Sequence, residues 1–350
     1  MSDVIQLLSD RDMSPWEGVL GFLPADVKRE ASGANKADLL ATSGEHVAAV
    51  EVKLGHVMSS KQQSAYESVT PQPALYLAAL AADRHRVERD ASAWTFLSLG
   101  DLVRRWANSD DTFARLLAIE TAAIIEAWDH SIQAVFEARG SHTRQTLRTL
   151  NQKFVARVVT RRIANDLHAR DRWATAGVTA GGGLPLIQSW TPIRGETKDR
   201  AFIAEVRWWE TQPGGELRFG VDFDPRPGKT EDEEVRRAAY DLATSMSEWL
   251  DYASLRDHLA AEHPELASLL RRKGPSRPPS RGEWEPVIVH GFAGKNNRNQ
   301  TRPEFYGDGT LRFQAIAEVD FGEASAADLT DLLDCTLRYL ASQQPTGSSA

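Results

Sequence analysis

A single cysteine, Cys335, occurs in 350 residues. It can form no internal disulfide and no thiolate cluster, and its place in the amphipathic stretch ADLTDLLDCTLRYLA makes it a small core residue of a helix. No apolar run approaches the roughly 18 residues of a membrane span, and the opening MSDVIQLLSDRDM has no basic stretch leading into an apolar one. The expectation is a cytoplasmic protein with no membrane partner. Nine histidines show no metal-ligand spacing. TAGGGLPLI lacks the Lys-Ser/Thr ending of a phosphate-binding P-loop and reads as an ordinary loop. Excess positive charge is also missing: the formal net charge is −8, which excludes a uniformly basic coat.

Positive charge is instead gathered locally. Residues 144–162 hold Arg144, Arg148, Lys153, Arg157, Arg161 and Arg162 with no acidic residue, and RRKGPSRPPSR and GKNNRNQTR are two further basic stretches. Such segments are solvated faces or phosphate contacts. With 41% hydrophobic and 26% charged residues, the chain can bury enough core for two or three domains.

The first hundred residues alternate in type. SPWEGVLGFL starts like a helix, with Ser14 as N-cap, Pro15 at the first position and Glu17 closing a capping box. KADLLAT and HVAAVEVKL read as strands, SSKQQSAYESV as a helix, and PALYLAALA and AWTFLSL as buried strands. Helical spacing follows through Phe113, Leu116, Leu117, Ile124, Trp128, Ile132 and Val135, and again over residues 143–170. Farther on, LPLIQSWTPI, AFIAEVRWWE and ELRFGVDFDP read as strands before a helix over about 232–252. Of Trp208 and Trp209, which alternate across a strand, at least one belongs in a core. The Pro-, Arg- and Ser-rich RRKGPSRPPSRGE breaks periodicity and reads as a linker or exposed loop, and EPVIVHGF, GTLRFQAIAEVDF and the Cys335 helix follow it. The expected class is α/β, organised as a domain over 1–110, a helical connector over 111–172 and an α+β domain over 173–350. GGELRFGVDFDP and DGTLRFQAIAEVDF share Leu-Arg-Phe after a glycine turn, and each precedes a helix, as a degenerate duplication would.

The chemistry concentrates in ADLLATSGEHVAAVEVKLGH, residues 37–56. Gly44-Glu45 suits a two-residue type II′ turn, which sets Ser43 opposite His46. Counting outward puts Asp38 opposite Glu51, and the period of two adds Lys53 to the same face while Val50, Val52 and Leu54 point away. Opposed carboxylates destabilise a sheet unless a cation lies between them; carboxylate and water ligands suit Mg²⁺ or Mn²⁺. A lysine beside such an ion can orient or deprotonate a water, or stabilise charge on a phosphorus-centred transition state. The competing reading is an ordinary Glu51–Lys53 ion pair on a solvated strand. His46 and His56 flank this segment as solvated ends.

Asp38, the Glu51-Val52-Lys53 triplet, and Gln62 with Tyr66 in a Q-x-x-x-Y pattern resemble the PD-(D/E)XK nuclease superfamily, in particular its RecB-like members. The resemblance covers roughly residues 14–100 and implies a nuclease-like core, a central mixed sheet flanked by helices. It further implies Asp38 and Glu51 as metal ligands, Lys53 assisting the attacking water, and Gln62 positioning the scissile phosphate or site water. Many members carry another acidic ligand on the first helix; Glu17 matches its placement, although the capping box accounts for it equally, and Glu30 is a second candidate. Ala37 stands where the family has proline. The implied activity is Mg²⁺- or Mn²⁺-dependent hydrolysis of DNA, in restriction, antiviral defence or repair. The 173–350 region would serve substrate binding or a homo-oligomer or protein partner. The alternatives are an RNA nuclease and a non-catalytic nucleic-acid-binding or assembly protein on the same scaffold.

Overall fold

The computed structural model describes residues 1–29, 37–56, 58, 60–68, 72–85, 93–150, 152–179, 183–196, 200–209, 214–223, 233–273, 285–290, 304–306 and 311–344. The chain divides into two compact units: Met1–Ala134 with Leu150–Val159, and Val135–Thr149 with Thr160–Ala350. The segment expected as a connector over 111–172 is thus shared between the units. Glu30 and most of the two short basic stretches lie outside the described residues.

In the first unit, α1 (Ser2–Arg11) and a short 3₁₀ turn (Ser14–Trp16) lead into α2 (Glu17–Leu20). β1 (Asp26–Arg29), β2 (Leu39–Ser43) and β3 (His46–Lys53) pair antiparallel. α3 (Ser60–Glu67) then crosses over to β4 (Ala74–Ala79) and β5 (Trp94–Ser98), both parallel to β3, in a five-stranded sheet of order β1-β2-β3-β4-β5. The expected mixed sheet with helices is therefore present. β3 lies at its centre, and Ala48, Ala49, Val50 and Glu51 are all buried, as a strand covered on both faces requires. α4 (Leu99–Arg104) and α5 (Thr112–Ala134) close the unit; a Cβ on Gly100 would stand 3.4 Å from Ile125, so these two helices approach closely.

The expected capping box at Ser14 does not form. Ser14 has no capped helix behind it, because its amide and hydroxyl both donate to Asp12 Oδ1, at 2.9 and 2.7 Å. Asp12 organises this corner: its Oδ2 accepts from Ser109 at 2.6 Å and its carbonyl from the Trp106 indole at 2.7 Å, which seats Trp106 edge-on to Trp16. A true capping box appears elsewhere, between Ser325 and Asp328.

α6 (Lys153–His168) begins within the residues of the first unit and ends within those of the second. The second unit holds β6 (Trp173–Val178), β7 (Pro185–Pro192), β8 (Arg200–Trp208), β9 (Gly215–Phe223), α7 (Glu233–Ser245), α8 (Tyr252–Glu262), α9 (Pro264–Ala267), β10 (Leu270–Arg272), α10 (Glu285–His290), β11 (Glu304–Tyr306), β12 (Leu311–Val319) and α11 (Ala326–Ser342). Its strands form an antiparallel sheet of order β10-β12-β9-β8-β7-β6, with β11 also on β12. One face carries Phe202, Val206, Phe219, Val221 and Phe313 into the core. Trp208 is buried edge-on against Phe321, as expected of one of the paired tryptophans, and Cys335 is buried in α11. The two Leu-Arg-Phe segments lie side by side as antiparallel β9 and β12, with Gly220 opposite Gln314, each the third residue beyond its leucine.

Of EPVIVHGF, residues Glu285–His290 form the helix α10. Its carbonyls find a long-range donor: the buried Arg236 of α7 donates to Ile288 O at 2.6 Å and Val289 O at 3.1 Å, while Arg237 pairs with Glu285 at 2.7 Å. Unpaired helix-end carbonyls are a cost that Arg236 removes.

Candidate active site

Gly44 adopts φ 59°, and Glu45 is not among the positive-φ residues, in keeping with a type II′ turn. The ladder runs Ser43↔His46, Thr42↔Val47, Ala41↔Ala48, Leu40↔Ala49 and Leu39↔Val50, the register expected from the turn. Asp38 is one residue beyond the last pair, level with Glu51. It replaces the missing strand residue with its side chain, Oδ2 accepting the Val52 N–H at 2.8 Å.

Glu51 is only 1% exposed, yet donors surround it. Lys53 Nζ and Gln62 Nε2 both donate to Oε1, the latter at 2.6 Å, and the Tyr66 hydroxyl donates to Oε2 at 2.7 Å. The Lys53 ammonium also lies 3.9 Å from Asp38 Oδ2, with side-chain exposures of 14% for Lys53 and 30% for Asp38. Gln62 and Tyr66 reach the same carboxylate because residues four apart share a helix face. Tyr66 is fixed in an apolar cluster with Ala37, Ala49, Leu75, Leu77 and Trp94, its ring edge-on to Trp94 at 5.4 Å. Burial, followed by the Glu51 bond, pushes the Tyr66 hydroxyl far above its ordinary pKa, so it remains a donor.

Asp38, Glu51, Lys53 and Gln62 are thus brought together. Tyr66 was legible only as half of a spacing pattern; its direct bond to Glu51 is a product of the crossover between β3 and α3. Glu17 is exposed in the first turn of α2, and its box with Ser14 is not made. Among the described residues no three His, Cys, Asp or Glu side chains converge on a metal position. His46 is at the opposite end of β3 from Lys53, stacked on Phe22. Beyond β4, which runs parallel to β3, the Ala81 N–H donates to Asp129 Oδ1 at 3.1 Å. Burial, reinforced by Asp101 and Asp83 and only partly offset by that bond, pushes the Asp129 carboxyl up to about 6.

The second unit has a buried charged cluster of its own on the polar face of its sheet. Arg312 donates to both oxygens of Asp222, each at 3.1 Å, and to Glu205 Oε2 at 2.9 Å. Trp190 completes Asp222 at 2.8 Å; Gln188, at 2.7 Å, and Arg207 complete Glu205. Burial pushes the Glu205 carboxyl up, but Arg312 and Arg207 outweigh it and hold it below the ordinary range.

No family model matches the chain, and no curated protein and no solved structure matches it. No helix among the described residues is long and apolar enough to cross a membrane.

Proposed function

We propose that this chain is a metal-dependent nuclease that hydrolyses DNA phosphodiester bonds with a PD-(D/E)XK-like core in its first unit. The observation that carries the reading is the Lys53 ammonium bound to Glu51 and 3.9 Å from Asp38. Two carboxylates on neighbouring strands create a position that calls for positive charge, and their all-oxygen donor set suits Mg²⁺ or Mn²⁺. Two protein carboxylates are enough, since Mg²⁺ retains waters and takes phosphate oxygens. Asp38 and Glu51 would hold the ion, which supplies Lewis-acid stabilisation of phosphate charge and a more acidic bound water.

The chain's own groups divide the remaining work. Lys53 orients the attacking water or neutralises charge developing on the phosphate. Gln62, held by Glu51 at 2.6 Å, positions the scissile phosphate or that water. Tyr66 fixes the second oxygen of Glu51 and so the direction in which the carboxylate faces.

The test compares cleavage of plasmid, linear duplex, single-stranded DNA and RNA in Mg²⁺, Mn²⁺ and EDTA, with Lys53→Ala alongside. DNA cleavage that requires the metal and is abolished by Lys53→Ala is expected. Undiminished cleavage by that variant would sink the assignment; preferential RNA cleavage would change the substrate.

A further inference from the structure

The part of the chain that carries the proposed site is acidic on balance. Residues 1–134 contain 19 Asp and Glu against 12 Lys and Arg. Duplex DNA carries about one negative charge per 1.7 Å of axis, so binding it to an acidic body requires cations aimed at the backbone. The first unit recovers such cations from a distant part of the sequence, because Leu150–Val159 belongs to it and brings Lys153 and Arg157 with no acidic residue.

The location of these two cations follows from a close backbone contact. Gly55, two residues beyond Lys53, has φ 74°, and a Cβ there would lie 2.6 Å from Phe154 Cβ and 2.9 Å from Phe154 Cα. Only glycine permits both the dihedral and the approach. Phe154 is held from another side by Trp128, edge-on at 4.9 Å. The first turns of α6 are therefore seated against the loop that leaves the catalytic strand. Lys153 is exposed and Arg157 half-buried. They are four residues apart, hence on one helix face about 6 Å apart along the axis, a spacing suited to neighbouring phosphates of one strand.

We propose that Lys153 and Arg157 form a backbone grip for duplex DNA beside the Asp38–Glu51–Lys53 site. The inference rests on the nuclease reading for its substrate, but its measurement needs no chemistry. Binding of a fluorescent DNA duplex by the full chain in EDTA is followed by polarisation between 50 and 200 mM KCl. Each phosphate contact contributes about 0.9 to the slope of log affinity against log salt. Lys153→Ala with Arg157→Ala should lower that slope by about 1.8 and weaken low-salt binding by about tenfold or more. Lys153→Arg with Arg157→Lys should restore both. The single Lys153→Ala change, at an exposed position, should lower the slope by about 0.9 without altering thermal melting. Wild-type slope and affinity in the alanine variants overturn the grip, as does a wild-type chain that binds no duplex. The two readings fail separately: cleavage surviving Lys53→Ala removes the nuclease assignment, whereas an unchanged salt slope removes only the grip.

Discussion

The two units each set a pair of carboxylates around a cation, and the pairs differ in how completely they are buried. Around Arg312 every oxygen of Glu205 and Asp222 has a donor within the cluster, and the side chains of all three are at most 8% exposed. Around Lys53 the charges are less evenly shared. Glu51 is closed in by three donors, while Asp38 is partly open to solvent and 3.9 Å from the ammonium. A saturated cluster ties strands together. One with a carboxylate still reached by solvent leaves room beside it for a ligand.

This contrast can be broken from either side. The largest effect is expected in Lys53→Ala, where Mg²⁺-dependent cleavage falls by about 10²–10³-fold or more while Gln62 and Tyr66 still cover Glu51 and the melting temperature changes little. Arg312→Ala should do the reverse, costing about 3–5 kcal/mol in chemical denaturation because buried Asp222 loses its counter-ion and Glu205 keeps only Arg207, with cleavage per folded molecule retained. If the two variants exchange these phenotypes, the assignment of roles is wrong. Tyr66→Phe comes next: the buried Oε2 of Glu51 loses its donor, for an expected cost of about 1–3 kcal/mol and a loss of cleavage through misdirection of the carboxylate.

The smallest effect sharpens the comparison through pH. The Asp129 carboxyl is raised to about 6 from 3.8, so folding favours its protonated form. Its stabilising contribution is complete below about pH 3.8 and is lost as pH rises through 6. Asp129→Asn should therefore melt with the wild type near pH 3.5 and above it at pH 7.5. A melting difference independent of pH would show that the carboxyl does not titrate in this way.

Much of the candidate site was legible because it depends on local geometry. The Gly44-Glu45 turn set the β2–β3 register, and the two-residue strand period then aligned Asp38, Glu51 and Lys53; the four-residue helix period aligned Gln62 with Tyr66. Illegible were the features whose energetics come from partners far along the chain. Ser14 had the residues of a capping box but found Asp12 a better acceptor, and Asp12 was held by Ser109 and Trp106. EPVIVH, residues 285–290, is too short an apolar run to declare its element, and Arg236 satisfied its helical carbonyls.

What the sequence determined by itself was the alternating α/β order of the first hundred residues and the register of the charged hairpin, because turn dihedrals and side-chain periods act within a few residues. Only tertiary structure decided that Glu51 would be enclosed by Tyr66 and that Leu150–Val159 would return to Gly55 with two cations. Those outcomes depend on packing and charge compensation between residues distant in sequence, and such terms leave no local period to read.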